Sequence, residues 1–406
     1  MAMKLKIART AKELDDVFWL RHEVYVLEDG KYEDTTFHDK RIVDRFDAFP
    51  DCVSIIAYDN HEPVGTLRIC LDSGMGLPSE EYFYLTSHRA EIESQWENQH
   101  NQSTQVTCAG MLAIRHKWKN RRDVIRALIK MAVGVWRSWN VTHVYATVNY
   151  ETVGMYDRLG FSPLADKLWV ESIGNYIIPI TASFESLYQW AFGHLQSDLL
   201  QAYCGHFERL LLKTGEVLFS EGDAGDYAYV VDEGEVKVSR KDLNGLQLTL
   251  ATLGRGEIFG ELALIDTNPR SATATVMKAS ELLILDRDTF QGVLRSEPQL
   301  LNLILGDFAR RIRRMDDLAM VLAYGANSQR LNFAIDVIQG QAKPDAKLLN
   351  VRTVKAGPEE LAHLAGVSEE LALSFLESRK EAGELDYNHR AIHFYELTEK
   401  PNSAKY

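Results

Sequence analysis

The sequence predicts a multidomain protein with an α/β domain, an all-β barrel followed by a long helix, and a C-terminal helix-turn-helix. The chain has 406 residues, which is more than one ordinary domain contains. Strand-like and helix-like segments alternate up to about residue 185, whereas glycine-containing turns recur about every 8–12 residues after residue 205. These two patterns predict domains at residues 1–185, 186–325 and 326–406.

In the first domain, the spacing of apolar residues predicts each element in turn. Leu14, Val17 and Val24 recur at helical spacing and predict a helix over residues 10–28. Alternating or short apolar runs predict strands at 4–8, 53–59, 64–71, 106–114 and 143–148, and helical spacing predicts helices at 121–139 and 151–159. The acidic and aromatic insertion at 73–104 is interpreted either as a lid over a site or as a surface excursion.

In the rest of the chain, turn signals and helical spacing predict the remaining elements. They are a helical connector at 187–204, a barrel at 205–285, helices at 297–323 and 328–339, a loop at 340–357, a helical block at 358–382 and a strand at 391–397.

The composition excludes several classes of protein. Hydrophobic residues make up 46% and charged residues 25%, which is not typical of a disordered or collagen-like chain. The net charge of −13 does not favour nucleic acid or anionic membranes as partners. Four cysteines without a CxxC pair predict neither a disulfide framework nor a metal site, and they are expected to be free thiols: Cys52, Cys70, Cys108 and Cys204. Without a signal peptide or an apolar run long enough to span a membrane, a cytoplasmic location is expected.

The most specific pattern in the chain lies near residue 260. Residues 259–264 read Phe-Gly-Glu-Leu-Ala-Leu, and Pro-Arg-Ser follows at 269–271. A helix beginning at Gly260 would direct backbone N–H groups at an anion, and Arg270 would supply a forked cation for a phosphate oxygen. The pattern resembles the phosphate-binding cassette of cyclic-nucleotide-binding domains, which are jelly-roll barrels, over about residues 205–325. The resemblance implies these nucleotide-binding residues: Gly260, Glu261, Leu262, Arg270 and Ser271.

The nucleotide that this resemblance implies is cAMP, with cGMP as the open alternative. Ser271 follows the arginine directly, as in catabolite-activator-like proteins, whereas cGMP-selective members usually have threonine there. Aligning residues 309–312 with the family's Ala-Arg-Arg-Leu puts Met315 and Asp316 at the purine. Met315 can pack on a purine face and Asp316 can accept a hydrogen bond from an amino group, and neither excludes guanine.

Two patterns in the first domain resemble GNAT acyltransferases. A basic turn follows the strand that ends at Ile114, and Met-Tyr-Asp-Arg-Leu-Gly-Phe at 155–161 follows Asn149. The resemblance implies that acyl-CoA is bound by Ile114, Lys119, Asn120, Arg121, Arg122 and Asn149. It also implies that Tyr156 protonates the leaving thiolate, and a packed core tyrosine is the alternative. The usual Gly-x-Gly of the turn is replaced here by Asn-Arg-Arg at 120–122, which crowds a close approach by coenzyme A.

Three motifs in the first 70 residues of this domain indicate a narrower family resemblance. Leu-Arg-His-Glu-Val-Tyr at 20–25, an aspartate pair and Gly-Thr-Leu-Arg at 65–68 resemble acyl-homoserine-lactone synthases and long-chain N-acyl amino acid synthases. The resemblance implies that Arg21, Asp44, Asp47 and Arg68 shape the catalytic face. Two carboxylates three residues apart can steer an amine and take its proton. A solvated turn and structural ion pairs with the arginines remain the alternatives.

Residues 358–371 have the residue pattern of a helix-turn-helix. Together with the last strand, this block resembles the winged helix of catabolite-activator proteins. The second helix is acidic and lacks the family's basic residues. Glu369 and Ser374 occupy positions where that family has arginine, and Glu377 occupies a position where it has lysine. DNA affinity depends on cations that contact phosphates. DNA binding is therefore not expected, and the module is interpreted as a dimer or domain contact.

Together these patterns predict a cyclic-nucleotide-regulated N-acyltransferase that uses an acyl-CoA-type thioester and a small-molecule or protein amine. We expect a homodimer formed through the helix at 297–323, and we expect the nucleotide to bias how that helix meets the catalytic domain. A transcription regulator with a non-catalytic GNAT-like sensor domain is the main alternative. A pseudo-enzyme that only binds acyl-CoA is the other.

Overall fold

The described residues of the computed structural model are 2–32, 39–74, 76–193, 208–241, 247–266, 268–296, 298–340, 342–344 and 350–395. Their contacts divide the chain into two units. The first unit is Met1–Arg240 with Leu250–Pro298, and the second is Lys241–Thr249 with Gln299–Tyr406.

The first part of the first unit alternates strands and helices, as the sequence predicts. Its strands are β1 (Met3–Ile7), β2 (Cys52–Asp59), β3 (Glu62–Leu71), β4 (Val106–Ile114), β5 (His143–Asn149), β6 (Ser162–Pro163), β7 (Leu168–Val170) and β8 (Asn175–Ser183). Its helices are α1 (Ala11–His22), α2 (Thr86–His100), α3 (Arg122–Ser138), α4 (Val153–Asp157) and α5 (Phe184–Phe192). The predicted connector at 187–204 is helical as far as Phe192, and its residues from 194 onward lie outside the described part.

Helix α1 shows how local sequence defines an element. Thr10 caps its N-terminus by accepting a hydrogen bond from the Glu13 N–H, and the Glu13 carboxylate accepts one from the Thr10 N–H in return. The predicted helix over 10–28 is confirmed in extent, but its last part, Glu23–Glu28, is a π-helix. There the Asp29 N–H reaches the Val24 oxygen at 2.8 Å. Such wider turns inside helices often accompany functional sites.

The second part of the first unit is rich in β-strands and is the region for which the sequence predicts a barrel. It contains β9 (Glu208–Leu212), β10 (Val217–Phe219), β11 (Tyr227–Lys241), β12 (Gln247–Leu253), β13 (Ile258–Phe259), α6 (Leu262–Ile265), β14 (Thr273–Asp286) and α7 (Arg287–Ser296). Its apolar core includes Val231, Val236 and Leu282, which are fully buried.

One continuous sheet joins the two parts of the first unit. The described strands follow the order β12-β11-β14-β9-β1-β2-β3-β4-β5-β8-β6. Strand β1 is the joint, because it pairs antiparallel with β2 on one side and with β9 on the other. In the second pairing, Met3 faces Leu211 and Leu5 faces Arg209. Local sequence patterns do not indicate this pairing.

The insertion at 73–104 contains a short 3₁₀ turn at Pro78–Glu81 and helix α2. No residue of α2 is buried. The insertion is held at its base by Leu77 and Leu85, which pack with Cys108 and Tyr145 of the sheet. This geometry fits a surface excursion that is anchored to β4 and β5.

The second unit holds α8 (Pro298–Tyr324), α9 (Asn327–Gly340), β15 (Lys343–Pro344), β16 (Val351–Val354), α10 (Pro358–Ala365), α11 (Glu369–Glu381), β17 (Leu385–Asn388) and β18 (Ala391–Tyr395). The prediction of a plain loop at 340–357 is wrong, because β16 pairs with β18 in a four-stranded sheet. The alternation Val-Arg-Thr-Val is a strand signal that the neighbouring proline, lysine and glycine residues obscure. Within the described residues, no helix is both long and apolar enough to cross a membrane.

Candidate functional site

The arginine of the predicted phosphate cassette is held between backbone oxygens and an aromatic ring. Arg270 is 5% exposed. Its Nη1 donates to the Gly260 oxygen at 2.6 Å, and its Nη2 donates to the Tyr227 oxygen at 2.6 Å. Its guanidinium carbon lies 4.2 Å from the centre of the Phe219 ring. These contacts fix the plane of the guanidinium.

Two glycines make room for this arginine. Gly260 has φ +73°, in the left-handed region that glycine adopts without strain. A Cβ atom on Gly260 would lie 2.7 Å from the Arg270 Nη1 atom, and one on Gly225 would lie 2.2 Å from the Ala263 Cβ atom. Side chains at either position would therefore displace the arginine or the short helix beside it.

The Arg270 guanidinium has no carboxylate partner within the described part of the chain, and its Nε has no hydrogen-bond partner there. Burial lowers the pKa of Arg270 below its usual value. Asp223, Asp226 and Glu261 are near enough to raise its pKa but form no direct ion pair with it, and a phosphate would supply a directly bound negative charge together with acceptors for the forked N–H groups. This arrangement is therefore suited to binding an anion.

The other predicted nucleotide residues are distributed unevenly around this arginine. Glu261 is buried and close enough to influence the arginine's pKa. Leu262 and Ser271 are exposed. Asp316 is exposed on α8, and the side chain of Met315 lies outside what the structure describes.

In the synthase-like part of the first unit, strands β4 and β5 separate along their length. They pair in parallel only as far as Ala109 opposite Ala146. Beyond that point β4 continues beside β3 to the buried Ile114, and β5 continues beside β8 to Asn149. Met111 has φ +50° and lies where the β3–β4 register shifts, which marks a bulge. The facing edges are left without a described strand partner and offer backbone groups to an extended ligand.

The four predicted catalytic residues at the front of the domain form one cluster. Arg21 Nη1 donates to Asp47 Oδ2 at 2.9 Å, and Arg21 Nη2 donates to Ser54 Oγ at 3.1 Å. Arg68 Nη1 donates to Asp44 Oδ1 at 2.6 Å and lies 3.2 Å from Asp47 Oδ2. The side chains of Arg21, Asp47 and Arg68 are at most 4% exposed. The structural alternative of arginine–aspartate ion pairs is therefore present in the fold.

Local capping explains the spacing of the two aspartates. Asp44 accepts a hydrogen bond from the Phe46 N–H at 2.9 Å, and Asp47 accepts one from the Asp44 N–H at 3.1 Å. Burial raises the pKa of Asp44, but the hydrogen bond and charge of Arg68, the Phe46 N–H and the charge of Arg21 together outweigh burial and lower the pKa below its ordinary value. The Asp44 side chain is 29% exposed, and its Oδ2 has no partner among the described residues. Asp44 is therefore a weak base but an accessible anion.

Tyr156 connects to this cluster through a residue that the sequence analysis did not select. Burial raises the pKa of Tyr156 to about 12. Burial also raises the pKa of Tyr25 above its usual range; the nearby Tyr32 and Tyr156 raise it further, and Arg21 opposes them. Tyr25 is therefore close enough to Arg21 and to Tyr156 for both to influence its pKa. Its position one helical turn after Arg21 is the signal that could have identified it.

Two cations of the basic turn before α3 already bind carboxylates of this protein. Lys119 Nζ donates to Asp29 Oδ1 at 2.9 Å, and Arg121 Nε donates to Asp123 Oδ1 at 2.9 Å. The other two residues of the turn are exposed: Asn120 and Arg122. Two of its three cations are thus already neutralised by carboxylates. Asp29 lies 90 residues away from Lys119, so no local pattern indicates this pair.

A buried ion-pair network joins α3 to the barrel. Lys130 Nζ donates to Asp232 Oδ2 at 3.0 Å, to Glu233 Oε1 at 2.9 Å and to Glu281 Oε2 at 3.2 Å. Arg209 Nη1 donates to Asp232 Oδ2 at 2.6 Å and also to Glu281 Oε1. All of these side chains except that of Glu233 are at most 3% exposed. Burial raises the pKa of Asp232, but Arg209 and Lys130 outweigh it and lower the pKa to about 2.

The elements of this network lead to both candidate sites. Strand β11 carries Asp232 and, five residues earlier, Tyr227, whose oxygen binds the barrel arginine. Strand β14 carries Glu281 and begins two residues after Ser271. Helix α3 carries the network lysine and begins at Arg122, within the basic turn. The same three elements therefore contact the network and reach both sites.

Comparisons with known proteins match the two parts of the first unit separately. A family model described as N-acyl amino acid synthase FeeM matches residues 16–183, and one described as cyclic nucleotide-binding domain matches residues 209–297. A solved structure of FeeM, an N-acyl amino acid synthase from uncultured soil microbes, covers 47% of this chain and 97% of that chain, with 16% identity and a TM-score of 0.37.

Similar curated proteins match the later part of the chain. The cyclic AMP receptor protein of Thermus thermophilus is 34% identical over 186 residues, which are 46% of this chain and 82% of that protein. A CRP-like cAMP-activated global transcriptional regulator of Mycobacterium tuberculosis is 29% identical over 157 residues, which are 38% of this chain and 70% of that protein. The chain therefore combines an N-terminal FeeM-type N-acyl amino acid synthase domain with a cyclic nucleotide-binding domain, and it belongs to the family of the cyclic AMP receptor protein.

Proposed function

We propose that this protein is an N-acyltransferase regulated by a cyclic nucleotide, and that it moves an acyl group from an acyl-CoA-type thioester to an amine. The observation that carries the proposal is the match of residues 16–183 to an N-acyl amino acid synthase family model, in a domain where Arg21 and Tyr156 both influence the pKa of Tyr25. The domain boundaries that we assign are 1–185, 186–325 and 326–406. The compartment that we assign is the cytoplasm.

In this proposal the arginine–aspartate cluster binds the amine, and Tyr156 contacts the sulfur of the thioester. The exposed oxygen of Asp44 holds the acceptor's ammonium group, while Arg21 and Arg68 fix the aspartates. The amine loses its proton to water, because an ion-paired carboxylate of low pKa is a poor base. Its nitrogen then attacks the thioester carbonyl carbon, the nitrogen gives a second proton to water, the C–S bond breaks, and the products are an amide and a thiolate.

Tyr156 acts on the departing sulfur. A phenol whose pKa is about 12 keeps its proton at neutral pH. A thiol's pKa is about 8.5, so complete proton transfer from the tyrosine to the thiolate is uphill. We therefore assign Tyr156 the role of a hydrogen-bond donor that stabilises the charge developing on sulfur, and the thiolate takes its final proton from water.

The thioester donor binds along the separated strands in this proposal. Ile114 and Asn149 mark the ends of the two strands, and Arg122 is the exposed cation of the turn. For coenzyme A to use Lys119 and Arg121 as well, its phosphates must compete with Asp29 and Asp123. We therefore expect the affinity for the acyl-CoA donor to depend less on its phosphates than it would in a protein with a Gly-x-Gly turn.

The regulatory ligand that we propose is cAMP, with cGMP as the competing nucleotide. Its phosphate would pair with Arg270, and Glu261 would accept a hydrogen bond from its ribose hydroxyl. We propose that the effect reaches the acyltransfer site through the Lys130 network, because β11 and β14 lead from the arginine to α3. This route supplements the expected movement of the helix at 297–323.

The test is thiol release by the purified full chain, supplied with an acyl-CoA and a panel of amines, with and without cAMP or cGMP. Tyr156→Phe is expected to lose roughly 10²–10³ in turnover while keeping acyl-CoA affinity, because it removes one hydrogen-bond donor to the developing charge. Tyr150→Phe is the matched control, because Tyr150 is an exposed neighbour on the same segment. An undiminished rate in Tyr156→Phe would remove that residue from the mechanism. No thiol release by the unaltered chain with any donor would favour a protein that only binds acyl-CoA.

A transcription regulator is the second candidate, because the relatives named above include one. The C-terminal helices α10 and α11 are joined at Gly366, whose φ is +61°, and the hairpin β17–β18 follows. We interpret this block as a winged helix. Its helix α11 begins with Glu369, and its two basic residues, Arg379 and Lys380, pair with Glu384 and Asp386. We therefore propose that it does not bind DNA.

Gel-shift assays with saturating cAMP test this point. We expect no salt-sensitive duplex binding near micromolar protein concentration. A specific footprint that is lost when residues 368–378 are altered would instead establish the regulator function.

A further inference from the structure

Three cysteines lie in one row across three neighbouring strands. Cys52 on β2 faces Cys70 on β3, and Cys70 faces Cys108 on β4. The Sγ atoms of Cys52 and Cys70 are 3.0 Å apart. The two sulfur atoms are therefore in direct contact.

The backbone around this pair already has the form that a disulfide needs. The Leu71 N–H donates to the Asp51 oxygen at 2.9 Å, so the hydrogen bond joins the residues flanking the pair. Cys52 and Cys70 are therefore a non-hydrogen-bonded antiparallel pair, in which the Cα atoms lie about 4.5 Å apart and the side chains approach closely. Disulfides span Cα separations of about 4.4–6.8 Å. A bond between these sulfurs requires little movement of either strand.

We propose that Cys52 and Cys70 form a redox modification site, which a peroxide converts into a reversible cross-strand disulfide. Cys52 is half-buried and can meet the oxidant, whereas Cys70 is 3% exposed. The hydrogen bond with Cys52 and burial both raise the pKa of Cys70, which further favours Cys52 as the attacking thiol.

The chemistry balances with one hydrogen peroxide per disulfide. The Cys52 sulfur attacks one peroxide oxygen, the O–O bond breaks, and the displaced hydroxide takes the Cys52 thiol proton and leaves as water. The Cys70 sulfur then attacks the resulting sulfenic acid. The S–S bond forms, and the departing hydroxide takes the Cys70 proton and leaves as a second water. The two thiols lose two electrons to the peroxide.

The site lies two residue pairs away from the arginine cluster, on the same face of the sheet. After Val53 and Ile69, the following pair along β2 and β3 joins Ser54 to Arg68, and Ser54 accepts the hydrogen bond from Arg21. The pair Cys70–Cys108 differs because neither of its thiols is accessible. Cys108 is 2% exposed, and its Sγ lies 3.2 Å from the Ser79 hydroxyl oxygen. Cys108 is therefore an internal control. The proposal does not depend on the acyltransferase function.

The experiment treats the purified full chain with hydrogen peroxide, denatures it, alkylates the remaining thiols and identifies every cysteine peptide by mass spectrometry. We expect Cys52 and Cys70 to escape alkylation together, as one cross-linked peptide pair that dithiothreitol separates. Cys108 should remain alkylated. In Cys52→Ser the cross-link should be lost and Cys70 should be alkylated, and Cys204→Ser should leave the cross-link unchanged.

Three results would overturn the proposal. They are oxidation of Cys52 to sulfinic acid without a cross-link, a cross-link between Cys70 and Cys108, and a cross-link to Cys204. Because the first measurement uses the unaltered chain, a variant that fails to fold does not block the test.

Discussion

Replacing Lys130 by methionine tests the buried network that joins α3 to the barrel. Methionine keeps most of the lysine's length but removes the ammonium group from Asp232 and Glu281, which are at most 3% exposed. Arg209 then remains as the buried cation, and the partly exposed Arg255 lies 3.6 Å from Asp232 Oδ1. Breaking a buried ion pair by removing one partner costs about 3–5 kcal/mol. The unfolding equilibrium should therefore shift by roughly two to four powers of ten, since about 1.4 kcal/mol is tenfold. Urea unfolding followed by fluorescence measures this change.

Lys278→Met on β14 is the matched control. Its ion pair with Glu235 has a similar length of 2.6 Å, but the Lys278 side chain is 69% exposed. An exposed pair contributes about 0–1 kcal/mol, so this variant should unfold almost as the unaltered chain does. Lys130→Met should also bind cyclic nucleotide with little change while losing the nucleotide's effect on thiol release. The reasoning fails if Lys130→Met unfolds at the same urea concentration as Lys278→Met, or if it keeps the full response to nucleotide.

The other predictions concern the barrel site and acid stability. Arg270→Ala should weaken cyclic nucleotide binding by about 2–4 kcal/mol in calorimetry, because it removes the buried forked cation; unchanged affinity for both cAMP and cGMP would refute the site. Gly260→Ala should weaken binding at least about tenfold, because its Cβ atom would lie 2.7 Å from the arginine's Nη1, whereas Gly292→Ala, whose Cβ atom would meet nothing within 4 Å, should not. The folded pKa of Asp232, about 2, lies below its ordinary value of 3.8, so its contribution to stability is present above pH 4 and is lost as the pH falls towards 2. Urea midpoints should show a loss of about 1 kcal/mol from this group between pH 5 and pH 3, and Asp232→Asn should remove that part of the slope.

Local patterns predict most elements because each pattern reflects a nearby physical requirement. Helix α3 follows from its apolar stripe, and β4 follows from a short apolar run. Arg270 was selected because residues 259–271 resemble the phosphate-binding cassette of cyclic-nucleotide-binding domains. Asp44 and Asp47 were selected through the resemblance to acyl-homoserine-lactone and N-acyl amino acid synthases, and the structure adds that their spacing caps a single 3₁₀ turn.

Contacts between distant segments could not be predicted in this way. The ion pair between Lys119 and Asp29 spans 90 residues. The cysteine row depends on the register of three strands, and a shift of one residue would turn each thiol to the other face. The lysine of the network lies on the apolar face of α3, where helical spacing gives no sign of its acidic partners.

The pairing of β1 with β9 also has a consequence for biosynthesis. Met3 finds its partner only when Leu211 has left the ribosome, so β1 keeps one open edge while more than 200 residues are made. An open edge of this kind is a template for pairing with another chain. A synthase domain expressed alone as residues 1–185 would keep that edge permanently. It should therefore dimerise or aggregate, whereas a chain extended through residue 296 supplies the missing strand from its own sequence.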